Sequence, residues 1–195
     1  LWDTAEANTT LAFVSLTAEG ERDFEFYRNP GADTLLSVDD VKTVDWGQAQ
    51  IFHCGSASLT HEPSRSATIY AAREGMARGL LCSYDPNFRP PLWPSWQEAL
   101  PLIRANMAFA HVLKLNEEEF ALLAPGPSRI AAAETLFREY PQMQLVLLTL
   151  GKDGSIAFYR GGFVEVPAYP AVVRDTTGAG DAFLAGVLSF ILDNQ

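Results

Sequence analysis

Cysteine is scarce in this sequence. Cys54 and Cys82 are the only two among 195 residues, and they match no metal-ligand or redox spacing. Both lie in apolar stretches, so they read as reduced core residues of a cytoplasmic protein. Histidine is scarce too: His53, His61 and His111 show no zinc spacing and read as packing or surface residues. Basic residues are outnumbered, with 14 Lys and Arg against 24 Asp and Glu and a net charge of -10. That balance argues against a general nucleic-acid binder, which holds phosphate backbones with an excess of positive charge. It leaves room for a nucleotide enzyme, where backbone N–H groups and a metal ion neutralise phosphate locally. No apolar run reaches the roughly 18 residues of a membrane span. The richest, Ala182 to Leu192, is interrupted by Gly186 and Ser189 and reads as a buried helix. The N-terminus carries no signal-peptide pattern. It opens on Leu1 rather than Met, from which an incomplete chain is expected.

What is present suits a globular domain with a small appendage. Hydrophobic residues make up 48% and charged residues 19%, enough to bury a core and too few charges for disorder. Thr9 to Leu16 (TTLAFVSL) and Asp23 to Arg28 (DFEFYR) flank the turn signal Thr17-Ala18-Glu19-Gly20, a hairpin pattern. Its aromatic residues Phe24 and Phe26 alternate with Glu25, which predicts one aromatic and one charged face. Residues 1–32 are therefore set apart from 33–195. In the longer part, strands at 50–54, 80–84, 112–115 and 145–150 alternate with helices at 66–78, 96–106 and 130–139. A second hairpin is expected at 155–160 and 163–166, and a last helix at 178–192. Apolar strands alternating with helices imply an α/β fold with a mostly parallel sheet covered on both faces. Ligands of such sheets bind at the carboxyl ends of the strands. The most polar strings, DPNFR, KLNEEE and TLGKDGS, sit at those ends.

The segment Asp175 to Phe183, DTTGAGDAF, is the most informative. Two glycines flank Ala179 just before an apolar helix, so the backbone can approach a ligand closely. Free N–H groups and the dipole at a helix start favour an anion. Asp181 falls in the first turn of that helix. An acid beside an anion hole makes sense if its carboxylate receives a proton from a hydroxyl that attacks phosphate. The same residues also fit an ordinary loop followed by a capping Asp. The string is not a Walker A loop, because Asp153 follows Gly151-Lys152 where Ser or Thr belongs. Nor is it a dinucleotide fingerprint, which follows a first strand and ends in a third glycine.

DTTGAGDAF resembles the C-terminal signature of the ribokinase-like (phosphofructokinase-B) carbohydrate kinases at all nine positions. Phe26-Tyr27-Arg28 resembles the lid segment of fructokinases and 2-keto-3-deoxygluconate kinases. Asp85-Pro86-Asn87-Phe88-Arg89 with Leu92-Trp93-Pro94 is similar to strings of fructokinases. Lys114 to Glu119 resembles an N-x-x-E motif, and Thr149-Leu150-Gly151 with Gly154 a T-x-G-x-x-G nucleotide loop. The resemblance spans nearly the whole chain. It implies a ribokinase-like fold with a small β-lid over residues 1–32 and a Rossmann-like core over 33–195. The implied activity is transfer of the γ-phosphate of ATP to a ketose hydroxyl, D-fructose giving fructose 6-phosphate.

The resemblance also implies site residues. Asp181 matches the catalytic base, and Gly178, Ala179 and Gly180 the anion hole. Thr149, Gly151, Gly154, Asn116 and Lys114 match the nucleotide side. Asn116 and Glu119 match the pair that organises Mg²⁺ and phosphate, with Glu119 acting through water. A solvated helix start is the plain alternative for the three glutamates. Asp175 and Thr177 match positions whose carbonyls bind a monovalent cation in many relatives, which leaves a K⁺ site open. Tyr27, Arg28 and Phe13 are expected to touch the sugar from the lid, and Arg89 to reach sugar or phosphate or else form a surface ion pair. A homodimer through the lid is expected, with no nucleic-acid or membrane partner.

Against the family pattern, an N-terminal sugar-binding segment with an Asp and a Gly-Gly hinge is missing, as is a segment closing over adenine. The 195 residues alone are therefore expected to be inactive. Three rivals stand beside this reading. A 2-keto-3-deoxygluconate kinase fits the FYR string. A catalytically silent binding or assembly protein of the same fold would be expected to have a damaged GAGD string. A nicotinamide oxidoreductase lacks its fingerprint here.

Overall fold

The computed structural model describes residues 3–16, 22–28, 31–173 and 175–194. The chain begins with the strands β1 (Leu11–Leu16) and β2 (Arg22–Tyr27), followed by the short helix α1 (Val38–Lys42). Next come β3 (Ile51–Gly55), α2 (Ser64–Ala77), β4 (Leu81–Asp85) and α3 (Trp96–Met107). They are followed by β5 (Val112–Asn116), α4 (Glu117–Leu123), α5 (Arg129–Glu139) and β6 (Leu145–Thr149). The hairpin β7 (Ser155–Tyr159) and β8 (Gly162–Val166) and the helix α6 (Ala179–Asp193) complete it.

β1 and β2 pair antiparallel as a separate ribbon, and β3 to β8 form one six-stranded sheet in sequence order. β3, β4, β5 and β6 run parallel, whereas β7 and β8 are antiparallel. The expected alternation is therefore observed, with boundaries within about two residues. The turn at 17–20 and the Asn29-Pro30 pair lie outside the described residues.

The two faces of the sheet are covered unequally. One face holds Tyr84, Leu113, Leu115, Val146 and Leu148 against Ala99, Ile103 and Met107 of α3 and Ala132, Leu136 and Phe137 of α5. On the other, Val112 and Leu147 pack against Leu184 and Leu188 of α6. Alternate residues of β5 thus serve two different layers, as the two-residue strand period requires.

The buried face of α2 runs through Ala67, Ala71, Ala72 and Gly75, with Ile69 partly buried against the core. Small residues let this helix lie close to the sheet. A Cβ on Gly75 would stand 3.0 Å from Phe52 Cβ and 3.2 Å from Cys82 Sγ. In the ribbon, the faces do not sort into aromatic and charged. Register places Phe13 opposite Glu25 and Leu11 opposite Tyr27, so Phe13 and Tyr27 share Glu25's face. Their rings meet edge to face at 5.8 Å. Both are exposed, at 54% and 66%.

Cys54 and Cys82 are free thiols. Burial pushes them up to about 12 and about 11, as suits inert core cysteines.

Two measurements test this architecture. Gly154 has φ +101°, and a Cβ there would lie 2.1 Å from the Val166 carbonyl oxygen. Gly154→Ala should cost at least about 2 kcal/mol in urea denaturation; an unchanged midpoint would refute the close approach. His111 Nδ1 accepts the Cys82 N–H at 3.0 Å, and burial holds its imidazole below the usual value. The unfolded chain then binds the proton first. The stability contribution is present above about pH 6.5 and is lost as pH falls toward the folded value. His111→Asn, which keeps an acceptor, should show a weaker drop in midpoint between pH 7.5 and 5.5 than the parent protein.

Candidate active site

Parallel strands all deliver their carboxyl ends to one edge of the sheet, so the chain gathers its polar strings there. Asp85 ends β4, Lys114 and Asn116 end β5, and Thr149 ends β6. Register sets Ser83 beside Val112 and Tyr84 beside Leu113, which brings Asp85 alongside Lys114. Val112 faces α6, and by strand alternation so does Lys114. The Lys114 Nζ to Asp85 Oδ2 distance is 2.9 Å, with side-chain exposures of 7% and 3%.

α6 starts directly over this pair. Gly178, its N-cap, is left-handed at φ +76°. The Ala179 N–H is taken by the Thr176 carbonyl at 3.1 Å, and the Ala182 N–H by the Gly178 carbonyl at 2.8 Å. Helix geometry leaves the Gly180 and Asp181 amides between them without an intrahelical acceptor. A Cβ on Gly180 would lie 3.0 Å from Lys114 Nζ, so the loop rests on the ammonium. Asp181 is exposed in the first turn of α6.

The charges feel one another. Burial pushes the Asp85 carboxyl above the usual range, the Lys114 ammonium pulls it back, and the Asp181 carboxylate pushes it up. Burial likewise raises the Glu119 carboxyl, against two backbone hydrogen bonds that lower it.

Those two bonds define what Glu119 does here. Asn116 caps α4: its Oδ1 accepts the Glu119 N–H at 2.8 Å, and Glu119 Oε2 accepts the Asn116 N–H at 2.9 Å. This is a reciprocal capping box. The other oxygen, Oε1, accepts the Phe88 N–H at 2.6 Å. Glu119 therefore ties the loop after β4 to the start of α4, at 3% exposure. In the same loop Asp85 Oδ1 accepts the Asn87 N–H at 3.1 Å, and Asn87 is left-handed at φ 45°. Glu117 instead pairs with Arg129 at 2.6 Å.

The loop after β6 closes on itself, with the Leu150 N–H donating to the Gly154 carbonyl at 2.8 Å. Gly151 has φ +57°, and Thr149 Oγ donates to the Leu115 carbonyl at 3.4 Å. Thr149, Gly151 and Gly154 thus form one tight turn beside Asn116, which pairs with Thr149 in register.

Of the lid residues, Arg28 is an anchor. Its guanidinium meets Asp33 at 2.9 and 2.5 Å, Thr60 Oγ at 2.7 Å and the Ala57 carbonyl at 3.0 Å. It also lines a cavity of about 270 Å³ with Glu25, Phe26, His61, Pro91 and Leu92, under the ribbon. Phe13 and Tyr27 lie in the ribbon and do not line it. Arg89 Nη1 donates to the Phe88 carbonyl at 3.3 Å. Asp175 and Thr177 sit in the exposed approach to α6, where Asp175 Oδ1 accepts the Thr177 N–H at 2.8 Å.

Residues 2–195 match the pattern of the pfkB family carbohydrate kinases. The chain belongs to that family. Probable fructokinase-6, chloroplastic, of Arabidopsis thaliana is 44% identical over 185 residues, which cover 94% of this chain and 48% of the relative. A fructokinase from Xylella fastidiosa with bound ATP superposes with a TM-score of 0.84 at 36% identity, covering 95% of this chain and 57% of that one. A double-mutant fructokinase from Vibrio cholerae O395, in fructose, ADP and potassium ion bound form, gives 0.79 at 30% identity, covering 91% and 57%. The chain spans about half the length of the curated relatives it matches.

The start of α6 thus presents two amides without an intrahelical acceptor above the paired Lys114 ammonium, with the exposed Asp181 carboxylate in the same turn. Sequence reasoning did not single out Asp85, which the structure pairs with Lys114. The signal that could have found it is an acid ending one buried strand beside a lysine ending the next.

Glu119→Ala removes the acceptor of two backbone amides and should cost about 2–5 kcal/mol. Glu119→Gln, which keeps one acceptor oxygen, should cost less. Chemical denaturation checks the order; equal, small losses would show that the tie is dispensable.

Proposed function

We propose that this chain carries the phosphoryl-transfer site of an ATP-dependent fructose kinase. The observation that supports this best is the seating of Gly178 to Asp181 on the Lys114–Asp85 pair at the strand ends. The sugar hydroxyl oxygen attacks the γ-phosphorus, and its proton passes to the Asp181 carboxylate. The new P–O bond forms as the bond to the β-phosphate oxygen breaks, and ADP leaves with that electron pair. The Gly180 and Asp181 amides stabilise charge on the transferred group. Preorganised dipoles and positioning supply most of the rate in such reactions. The glycine turn after Thr149 lies where the nucleotide would approach, beside Asn116.

Among the described residues no cluster of three or more acidic, His or Cys groups could hold a metal ion. Both Glu119 oxygens already accept backbone N–H groups. The donor set therefore does not fit a direct protein cage for Mg²⁺. That ion belongs with the nucleotide phosphates, keeping its waters. K⁺ would bind through carbonyls of Asp175 and Thr177.

The cavity lined by Arg28 is our candidate for the sugar, with Arg89 two residues before the lining Pro91 and with Phe13 and Tyr27 acting from the ribbon in the assembled protein. The exposed Leu11, Phe13, Val14 and Tyr27 favour a homodimer through the ribbon. Two free thiols, Cys82 buried and Cys54 partly buried, fit a reducing compartment such as the cytoplasm. No helix among the described residues is long and apolar enough to cross a membrane.

The test is ATP-dependent phosphorylation, by the full-length protein, of fructose, 2-keto-3-deoxygluconate, ribose and adenosine in parallel, with Asp181→Ala as control. Turnover on fructose that falls at least about 10²-fold in the control is expected. Preference for another acceptor would replace the substrate, and ATP binding without any transfer would favour a silent binding protein.

A further inference from the structure

The groove between α5 and the last hairpin has no part in the kinase reading. It is a cavity of about 580 Å³, a size that suits a small molecule. Tyr159, which lines it, pairs in register with Leu145 at the start of β6. The groove therefore lies at the opposite end of the sheet from the turn after Thr149. One wall is a single stripe of α5, with Ile130, Ala133 and Phe137 at helical spacing. Phe158 and Phe163 line the other, their ring centres 6.1 Å apart. Phe137 and Phe158 are buried, but Ile130 and Phe163 are exposed at 45% and 41%. β8 is the outermost strand of the sheet, so no further strand of the described residues covers this side.

Two cations line the same cavity. Arg160 Nη2 donates to the Phe137 carbonyl at 2.9 Å and the Pro141 carbonyl at 2.7 Å, and its guanidinium stands 5.5 Å from the Phe137 ring centre. Those bonds satisfy carbonyls at the end of α5, which is a structural use for Nη2. They leave Nε and Nη1 without a partner among the described residues. Arg138 Nη2 donates to Thr135 Oγ at 2.9 Å. Neither arginine pairs with a carboxylate among the described residues, although the chain carries 24 acids against 14 bases. Glu134 also lines the cavity, one turn before Arg138 on α5.

We propose that this groove binds a small aromatic monocarboxylate. A planar carboxylate matches the fork of a guanidinium, and the aromatic body fills the space between Phe163 and the α5 stripe. Arg160 is already held by three contacts, so little of its ordering cost falls on binding. The site favours a single negative charge. Glu134 and the carbonyl end of the α5 dipole would repel a second one. A cationic ligand would meet two guanidiniums, and a neutral one would leave their donors unpaired. This inference does not depend on the kinase reading.

The probe is 2-naphthylacetate, with 2-naphthylacetamide as its neutral match, each titrated calorimetrically into the full-length protein. A Kd of about 1 mM or tighter is expected for the acid, with the amide at least about tenfold weaker. Arg138→Gln should weaken the acid by about fivefold, and Glu134→Gln should tighten it by about twofold. Both side chains are exposed, so both variants should melt where the parent does. Arg160→Gln should erase the preference for acid over amide; if it fails to fold, the first two variants decide. No binding of the acid at about 10 mM, equal affinities for acid and amide, or indifference to both Arg138→Gln and Glu134→Gln overturns the proposal. Displacement of the acid by ATP would put it in the candidate active site and overturn it too. So would self-association that Phe163→Asp abolishes and the acid does not compete with, which would give the groove to a second copy of the chain.

Discussion

The two-sided alternation of β5 is the constraint on which the rest depends. Leu113 and Leu115 point into the layer of α3 and α5, while Val112 points toward α6. Because β5 lies between β4 and β6, both layers are pinned to one strand. The next residue on the α6 side after Val112 is Lys114, and the helix start is held above it by Leu184 and Leu188 resting on Val112 and Leu147. A one-residue slip of β5 would send Lys114 into the α3–α5 core and Leu113 under the start of α6. The apolar packing therefore positions the charge.

A second tie works along the sheet edge. Glu119 joins the start of α4 to the Phe88 amide, and Asp85 joins its own loop to β5 through Lys114. The loop after β4 is thus held at both ends by buried carboxylates. Each is costly in isolation, since burial raises both carboxyls. Each is offset by partners that the parallel register delivers from a neighbouring strand.

Much of this was legible in the sequence. The continuous apolar run at 145–150 reads as a strand and 130–139 as a helix, and both are found. The glycines before Asp181 announce a tight turn into a helix, and α6 starts there. Other features were not. The small residues Ala67, Ala71 and Gly75 signal burial only once Phe52 and Cys82 are known to lie beneath Gly75. The capping role of Glu119 was half visible as a run of glutamates. Its bond to Phe88 joins residues 31 apart and has no local signature. Arg28 was expected to touch sugar from the lid; that Asp33 and Thr60 hold its guanidinium has no local signature. The Asp85–Lys114 contact needed the strand register, which no single segment encodes.

The two ends of the sheet are stabilised differently, and the difference follows from chemistry. Away from the site the structure relies on close apolar packing, with Met143, Val146 and Ile103 buried and tolerant of little change in volume. At the carboxyl edge it relies on paired charges, capping carboxylates and left-handed turns at Asn87, Gly151 and Gly178. Each of these costs stability relative to an apolar, regular alternative. A sequence selected for stability alone would place Leu or Met at 114 and a side chain at 180.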